Sequence, residues 1–338
     1  MGDVRPGAPV TLRMIADEAG VSVSTVSRVL SAEGTDAHRW AAAGTVELIR
    51  ELARKRDYRR NPQAVGLRTN RSGLVGVLVP RLQDFVLATI YEGIEEAATE
   101  NGLSTFVTNS LDVPANQIAR TEMMLQRRVD GMIFGDAHIG DGFLDSIAAR
   151  GVPFTLVSRR VGNHVSATCD DLLGGRLVGE HLVASGRRRL GVLAGLQFAS
   201  TAQERTAGAV GAFRAAGLEV PDERVVWGPF DAAGGRRAAE QLLAAEPFPD
   251  AIFATNDFAA IGALGVLRDR GLRVPDDVAL VGYNDTPLAA EILVPLTTVR
   301  SPMHKMGRRG VELLIEVLGG RTPESERLAP ELVVRQSG

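Results

Sequence analysis

One cysteine in 338 residues, Cys169, excludes an internal disulfide and any paired-cysteine metal knuckle. Lysine is nearly absent too: Lys55 and Lys305 are the only two, and arginine carries the positive charge. A codon bias accounts for that skew more simply than a function does. No run of 18 apolar residues occurs, so no membrane span is expected. The N-terminal MGDVRPGAPV lacks an apolar signal core, which with the lone cysteine points to the cytoplasm. GxxxxGKS/T, HExxH and GxSxG are all missing, and the five histidines (38, 138, 164, 181, 304) show no metal spacing. Neither a metal nor a cofactor is expected, and no enzyme chemistry is indicated. What remains is a chain 45% hydrophobic, long enough for a small head and a body of one or two sizeable domains. Its net charge of −3 argues nothing for nucleic acid, but the distribution does. Residues 1–72 hold 12 basic and 8 acidic residues and stand at +4; the 26 and 33 that follow put the remainder at −7. Phosphates are drawn to one end only.

At that basic end lies TLRMIADEAGVSVSTVSRVL, residues 11–30. Leu12, Ile15, Ala16 and Ala19 form one apolar helical stripe, and Gly20 offers the left-handed conformation that ends a helix. Ser22 can cap a second helix, whose own stripe is Val26, Val29 and Leu30. Two short helices across a glycine turn make a helix-turn-helix pattern. The opposite face of the second helix carries Val23, Ser24, Ser27 and Arg28. Such a face suits a DNA major groove, where arginine can bond guanine O6 and N7 together. A merely wet polar face is the alternative for a generic amphipathic pair.

The wording IADEAGVSVSTVSRVL closely resembles the DNA-binding head of the lactose-repressor (LacI) family of bacterial transcription regulators. The resemblance marks Thr11, Ser22, Val23, Ser24, Thr25, Ser27 and Arg28 as DNA-facing. The segment AHRW (37–40) departs from it, lengthening the loop before the third helix by about four or five residues against ordinary helix–helix connections. Val46, Ile49 and Ala53 give that third helix its inward stripe, which ends in Arg54, Lys55 and Arg56. Arg59 and Arg60 follow. A charge run is by default a solvated face, but beside a helix-turn-helix it suits phosphates.

Next comes DYRRNPQAVGLRTNRSG, in which Asn61 can cap a helix and Pro62 suits its first position. A helix over 62–67 is too short to be stable alone. This stretch resembles the family's hinge helix, which orders on DNA and inserts a leucine into the minor groove; Asn61, Ala64 and Leu67 are the matching positions. An ordinary linker is the alternative. Arg60 stands where proline is usual, and Val65-Gly66 where Arg-Ser is common.

From Leu74 on, short apolar strands alternate with helices. Strands are expected at 74–79, 104–108, 131–134, 154–157, 190–194, 224–227, 251–255 and 278–282, with helices between. Strict alternation with apolar strands means parallel sheet covered on both faces. The strands are too many for one comfortable sheet, and the two stretches look alike. The fold class is therefore α/β: an all-α helix-turn-helix head (1–60), a hinge and linker (61–73), and a body (74–338) of two similar doubly wound subdomains. A ligand is expected in the cleft facing the strand C-termini.

TAQERTAG (201–208), FATNDFAAIGAL (253–264), VPDDVALVGYNDTP (274–287) and PLTTVRSP (295–302) extend the resemblance to the family's body, shared with periplasmic sugar-binding proteins. It implies that a helix over 302–318 crosses back to the first subdomain (74–170 and 302–327), and that LVV (332–334) closes the second (171–301 and 328–338). No heptad segment follows, so a homodimer is expected rather than a tetramer. The implied effector residues are Asp84, Val86, Leu87, Asp136 and Ser158 from the first subdomain. Arg205, Phe230, Asn256 and Asn284 come from the second. Arg205 offers a fork for a hydroxyl or carboxylate, Asn256 both donor and acceptor, and Phe230 a stacking face. For Asn256 and Asp257 helix capping is the plainer role, and for Arg205 a surface salt bridge. Ser158 replaces a common acid, and Val86-Leu87 a common Phe-Phe, which makes the wall more aliphatic. Together these imply a repressor that binds a near-palindromic double-stranded operator under control of a small polar, sugar-like effector. A periplasmic binder or an enzyme on the same body is the rival. The missing signal core and the basic head point away from the first, the missing reactive motifs from the second.

Overall fold

A computed structural model describes residues 10–32, 34–58, 71–244 and 246–338. Two compact units divide the chain, Met1–Ser72 and Gly73–Gly338.

In the first, α1 (Leu12–Ala19), α2 (Val23–Ser31) and α3 (Ala43–Lys55) enclose a small core of Ile15, Ala16, Val26, Val29, Ala37, Val46, Ile49, Leu52 and Ala53. Two helix signals work as expected: Gly20 ends α1 at φ +65°, and Ser22 Oγ accepts from the Thr25 N–H at 3.1 Å. Thr11, not singled out as a cap, also caps α1, its Oγ1 accepting from the Met14 N–H. The lengthened loop is a 3-10 helix, Gly34–Arg39, with Ala37 wholly buried in the core. Arg56 turns back to Glu18 at 2.6 Å and ties the end of α3 to α1.

The second unit contains two parallel sheets. Its first elements are β1 (Leu74–Val79), α4 (Phe85–Glu100), β2 (Ser104–Asn109), α5 (Pro114–Gln126), β3 (Gly131–Phe134), α6 (Phe143–Ala149), β4 (Phe154–Val157) and β5 (Ser166–Cys169). There follow α7 (Asp171–Ala184), β6 (Leu190–Gly195), α8 (Ser200–Ala215), β7 (Val225–Trp227), α9 (Ala232–Leu242), β8 (Ala251–Ala254), α10 (Asp257–Asp269), β9 (Ala279–Val281) and α11 (Pro287–Glu291). The last are β10 (Thr298–Arg300), α12 (Met303–Leu318), β11 (Glu326–Leu328) and β12 (Glu331–Val333). One sheet has the order β11-β5-β4-β3-β1-β2, the other β7-β6-β8-β9. All their pairings are parallel. Strands β3, β4, β6 and β8 are buried along their whole length, because helices cover both faces.

In both sheets the first strand lies inside the second (β2-β1-β3 and β7-β6-β8), so each has a topological switch point where loops part at the strand C-termini. Helix α12 returns to pack on α4 and on β3–β5, and β12 pairs antiparallel with β10. Two parallel strands lack the expected apolar run. β5 reads SATC and β11 ERL; each is held by its neighbour in the sheet rather than announced by its own hydropathy.

Candidate nucleic-acid interface and binding cleft

On α2 the face opposite the core leaves Val23, Ser24 and Arg28 exposed, with Thr25 and Ser27 half-buried. Thr11 is exposed at the start of α1. The hydroxyl of Ser22 lies 2.7 Å from Ser24 Oγ and 2.8 Å from Thr25 Oγ1, so the three form one local network over the helix start. Ser27 contributes its carbonyl to the Ser31 hydroxyl at 2.5 Å. Arg28 makes a different contact: its guanidinium carbon lies 4.3 Å from the centroid of the Trp40 ring. Elsewhere in the head Arg13, His38, Arg39, Arg54 and Lys55 are all exposed. Asn61, Ala64 and Leu67, with Arg59 and Arg60, lie outside the described residues.

In the body, the strand C-termini converge on a cleft lined by Pro80, Asp84, Val86, Leu87, Ser158, Arg159, Thr201, Arg205, Phe230, Asn256, Phe258 and Asn284. Its cavity volume is about 60 Å³, room for a few water molecules at roughly 10–15 Å³ each. Eight of the nine residues expected here line it.

Asp136 does not. It is wholly buried, its backbone carbonyl accepts from Gln117 Nε2 at 3.1 Å, and its carboxylate oxygens have no well-formed hydrogen bond among the described residues. Burial pushes its pKa up to about 6. The β3 loop runs Gly135-Asp136-Ala137 through the interior, which turns this side chain away from the opening.

Arg205 is the most constrained residue of the wall. A Cβ at Gly175 would collide with the Arg205 carbonyl, and one at Gly208 with the Leu172 carbonyl, so these two glycines let α7 and α8 approach closely. That approach sets Arg205 Nε 2.7 Å from Asp171 Oδ1, both side chains buried. Nη1 donates to the Thr255 carbonyl at 2.8 Å, and the guanidinium covers the Tyr283 ring at 3.8 Å. Burial opposes the charge, but Asp171 more than offsets it, and the Arg205 pKa lies above the ordinary arginine value. A surface salt bridge is therefore not its role. Nε and Nη1 are engaged inside the protein, and Nη2 has no hydrogen-bond partner among the described residues.

Asn256 caps α10, accepting from the Ala259 N–H at 2.7 Å, and donates from Nδ2 to the Phe230 carbonyl at 2.9 Å. Capping and lining the cleft are thus both true of it. Asp257, read as a cap, instead receives Thr298 Oγ1 at 2.6 Å, and the Thr286 N–H and hydroxyl at 2.7 and 2.9 Å. It ties down the loop after β9 that carries Asn284. Asn284 itself stands at φ +107°, and its Oδ1 has no hydrogen-bond partner among the described residues. Asp84 caps α4 by accepting from the Val86 N–H at 2.9 Å, and burial holds its carboxyl above the usual range.

Pro80, Arg159, Thr201 and Phe258 were not singled out from sequence. Thr201 stands one helical turn before Arg205 on α8, and that i, i+4 spacing is the signal that marks it. Arg159 follows the unremarkable Ser158, yet it holds Asp112 with both nitrogens, at 2.6 and 3.1 Å. His138 Nε2 reaches the same carboxylate at 3.2 Å, and its ring packs 4.0 Å from that of Phe198. Burial raises the Asp112 pKa, but His138 and Arg159 together overcome it and bring it down to about 2. The Ile139 N–H donates to the Phe198 carbonyl at 2.9 Å, and the Arg160 N–H to Ser200 Oγ at 2.9 Å. These contacts fasten the loops after β3 and β4 to the start of α8, along one edge of the cleft.

The head, residues 11–61, matches the family model for bacterial regulatory proteins of the lacI family. Residues 180–338 match a periplasmic binding protein-like domain. The transcriptional regulator CelR of Thermobifida fusca is 33% identical, over 97% of this chain and 98% of its own. The transcriptional repressor PurR of Klebsiella pneumoniae is 30% identical, over 97% and 96%. Among solved structures, the lac repressor dimer bound to operator and the anti-inducer ONPF superposes with a TM-score of 0.85 at 28% identity, over 98% of this chain and 99% of that one. A CelR–cellobiose complex superposes at 0.74 and 32%, over 97% and 100%.

Proposed function

The chain belongs to the lactose-repressor family of bacterial transcription regulators, and from that premise we propose how its parts divide the work. The basic head recognises one half-site of a near-palindromic operator, as one of two heads in a homodimer. On α2, Arg28 and Ser24 read base edges from the major groove, with Val23 and Ser27 beside them. Thr11, Ser22 and Thr25, with the surrounding arginines, face phosphates, which position the helix without specifying sequence. Asn61, Ala64 and Leu67 serve as the hinge segment, with Leu67 as the minor-groove wedge. Such a protein works where the chromosome is, in the cytoplasm.

The cleft binds and does not catalyse. Its occupant is a small polar metabolite of the sugar class. Phe230 and Phe258 supply flat apolar faces, while Asp84, Ser158, Arg205 Nη2 and Asn284 Oδ1 supply hydrogen bonds from both sides. The two subdomains open and close around that occupant, and the contacts around Phe198 and Ser200 favour the closed arrangement. An effector shifts that equilibrium only by as much as its affinities for the two arrangements differ. The observation that carries this reading is the convergence of five strand ends from two sheets on Arg205.

A thermal-shift screen of the full chain against mono- and disaccharides, nucleobases and small acids tests it. A hit should raise the melting temperature of the wild type and leave Arg205→Met unmoved. An equal shift in both proteins removes Arg205 from the site.

A further inference from the structure

Trp40 sits in the AHRW segment that lengthens the loop between α2 and α3. It is an odd residue to find there. Tryptophan usually earns its place by burial, yet 47% of this side chain remains in water. The segment is nevertheless well anchored. Ala37 is wholly buried among the three helices, and the Trp40 N–H donates to the Ala37 carbonyl at 3.1 Å. The 3-10 turn therefore holds the indole outside the core at a fixed place beside α2. What it meets there is Arg28, with the guanidinium carbon 4.3 Å from the ring centroid.

We propose that Trp40 is a positioning residue for Arg28 and so a determinant of operator specificity, built by this loop. The claim rests on the reading of α2 as the base-reading helix. Stacking uses the flat face of the guanidinium, whereas hydrogen bonds to a guanine leave from its edge in the plane of the group. Both can be made at once. Among the described residues, no carboxylate or carbonyl takes the Arg28 side-chain N–H groups, so the edge stays available. An exposed arginine otherwise samples many rotamers and loses that freedom on binding. Indole is the best of the aromatic partners for a cation and restricts the side chain before DNA arrives. The ordering is then already made in the free protein, and it favours the one base pair that Arg28 addresses.

The test is selection of the full-length chain against a pool of random-sequence duplexes, followed by titration of the enriched duplex and its single-base-pair variants. Wild type, Arg28→Ala, Trp40→Leu and Trp40→Phe are compared at one salt concentration. Arg28→Ala identifies the base pair that Arg28 reads. Trp40→Leu, which keeps an apolar cover without a π face, should lose about fivefold in discrimination at that same pair. Trp40→Phe should lose less. The other positions should keep their preferences, and the melting temperature should not change. In a Trp227→Phe background, Trp40 is the only tryptophan, and its emission should change when the enriched duplex binds. The proposal is overturned if Trp40→Leu discriminates like wild type at the Arg28 pair, or if it weakens all duplexes equally. If Arg28→Ala itself shifts no preference, the base-reading assignment of α2 fails instead, and the two failures are told apart.

Discussion

Arg28 and Arg205 each place the guanidinium carbon over an aromatic ring, at 4.3 Å from the centroid of Trp40 and 3.8 Å from that of Tyr283. Their edges differ. Arg205 is buried, with Nε on Asp171 and Nη1 on the Thr255 carbonyl, so the fold has used most of what it offers. Arg28 is exposed, and among the described residues its guanidinium meets the Trp40 ring and no hydrogen-bond acceptor. The contrast teaches what each unit needs from an arginine. In the body the charge is part of the architecture, because an ion pair in a low-dielectric interior cannot lose one partner cheaply. In the head the architecture stands without it, and the hydrogen-bonding edge is kept for a partner outside the protein.

The largest expected effect separates the two directly. Arg205→Met leaves Asp171 buried without its counter-ion and should cost about 3–5 kcal/mol in urea unfolding of the full chain. A loss below about 1 kcal/mol would mean that the pair behaves like a surface ion pair. Asp136 is another buried carboxylate of the body, and no ion pair holds it among the described residues. Its folded pKa of about 6 lies above the ordinary 3.8, so the folded state holds the extra proton between those values. Stability is therefore greatest below that window and falls as pH rises through it, by about 3 kcal/mol in all. Asp257 is raised to about 6 as well and adds a slope of the same sign, so Asp136→Asn should reduce, not abolish, the slope in unfolding curves taken from pH 4 to 7; an unchanged slope would assign it to other groups. Arg28→Ala should leave unfolding unaffected and remove about 1–3 kcal/mol of discrimination between operator and a one-base-pair variant, read by fluorescence anisotropy. A comparable loss of stability would erase the contrast with Arg205. Smallest is Ser22→Ala, which deletes the α2 cap and should cost the head about 1 kcal/mol in a thermal melt followed by circular dichroism. No change would mean that Ser24 takes over the cap.

The sequence shows the architecture well where hydropathy alone decides. LVGVLV, GMIF and FTLV are strands as written, because strands buried on both faces must be apolar throughout. It fails for SATC and ERL, whose strand character comes from the neighbour they pair with. The place of the cleft follows from the strand ends, whereas Arg205, Asn256 and Asn284 could be named only through the family resemblance of TAQERTAG, FATNDFAAIGAL and VPDDVALVGYNDTP. The cleft is illegible where a loop turns inward: nothing in GDAH says that Asp136 points into the interior. Nor does local sequence say that Arg159 is held by Asp112, 47 residues earlier. The Trp40 contact is of the same kind, since twelve residues and a loop of unusual length separate it from Arg28.

The coupling of the two units is the central claim, and reciprocity tests it most directly. The dissociation constant of a cleft ligand, taken as the strongest hit of the thermal-shift screen, is measured by calorimetry on the full chain with and without saturating enriched duplex. If the ligand controls DNA binding, the duplex must shift the ligand's affinity by the same factor by which the ligand shifts the duplex's, typically about 5- to 150-fold. A ligand affinity that is identical in the presence and absence of the duplex would contradict the account.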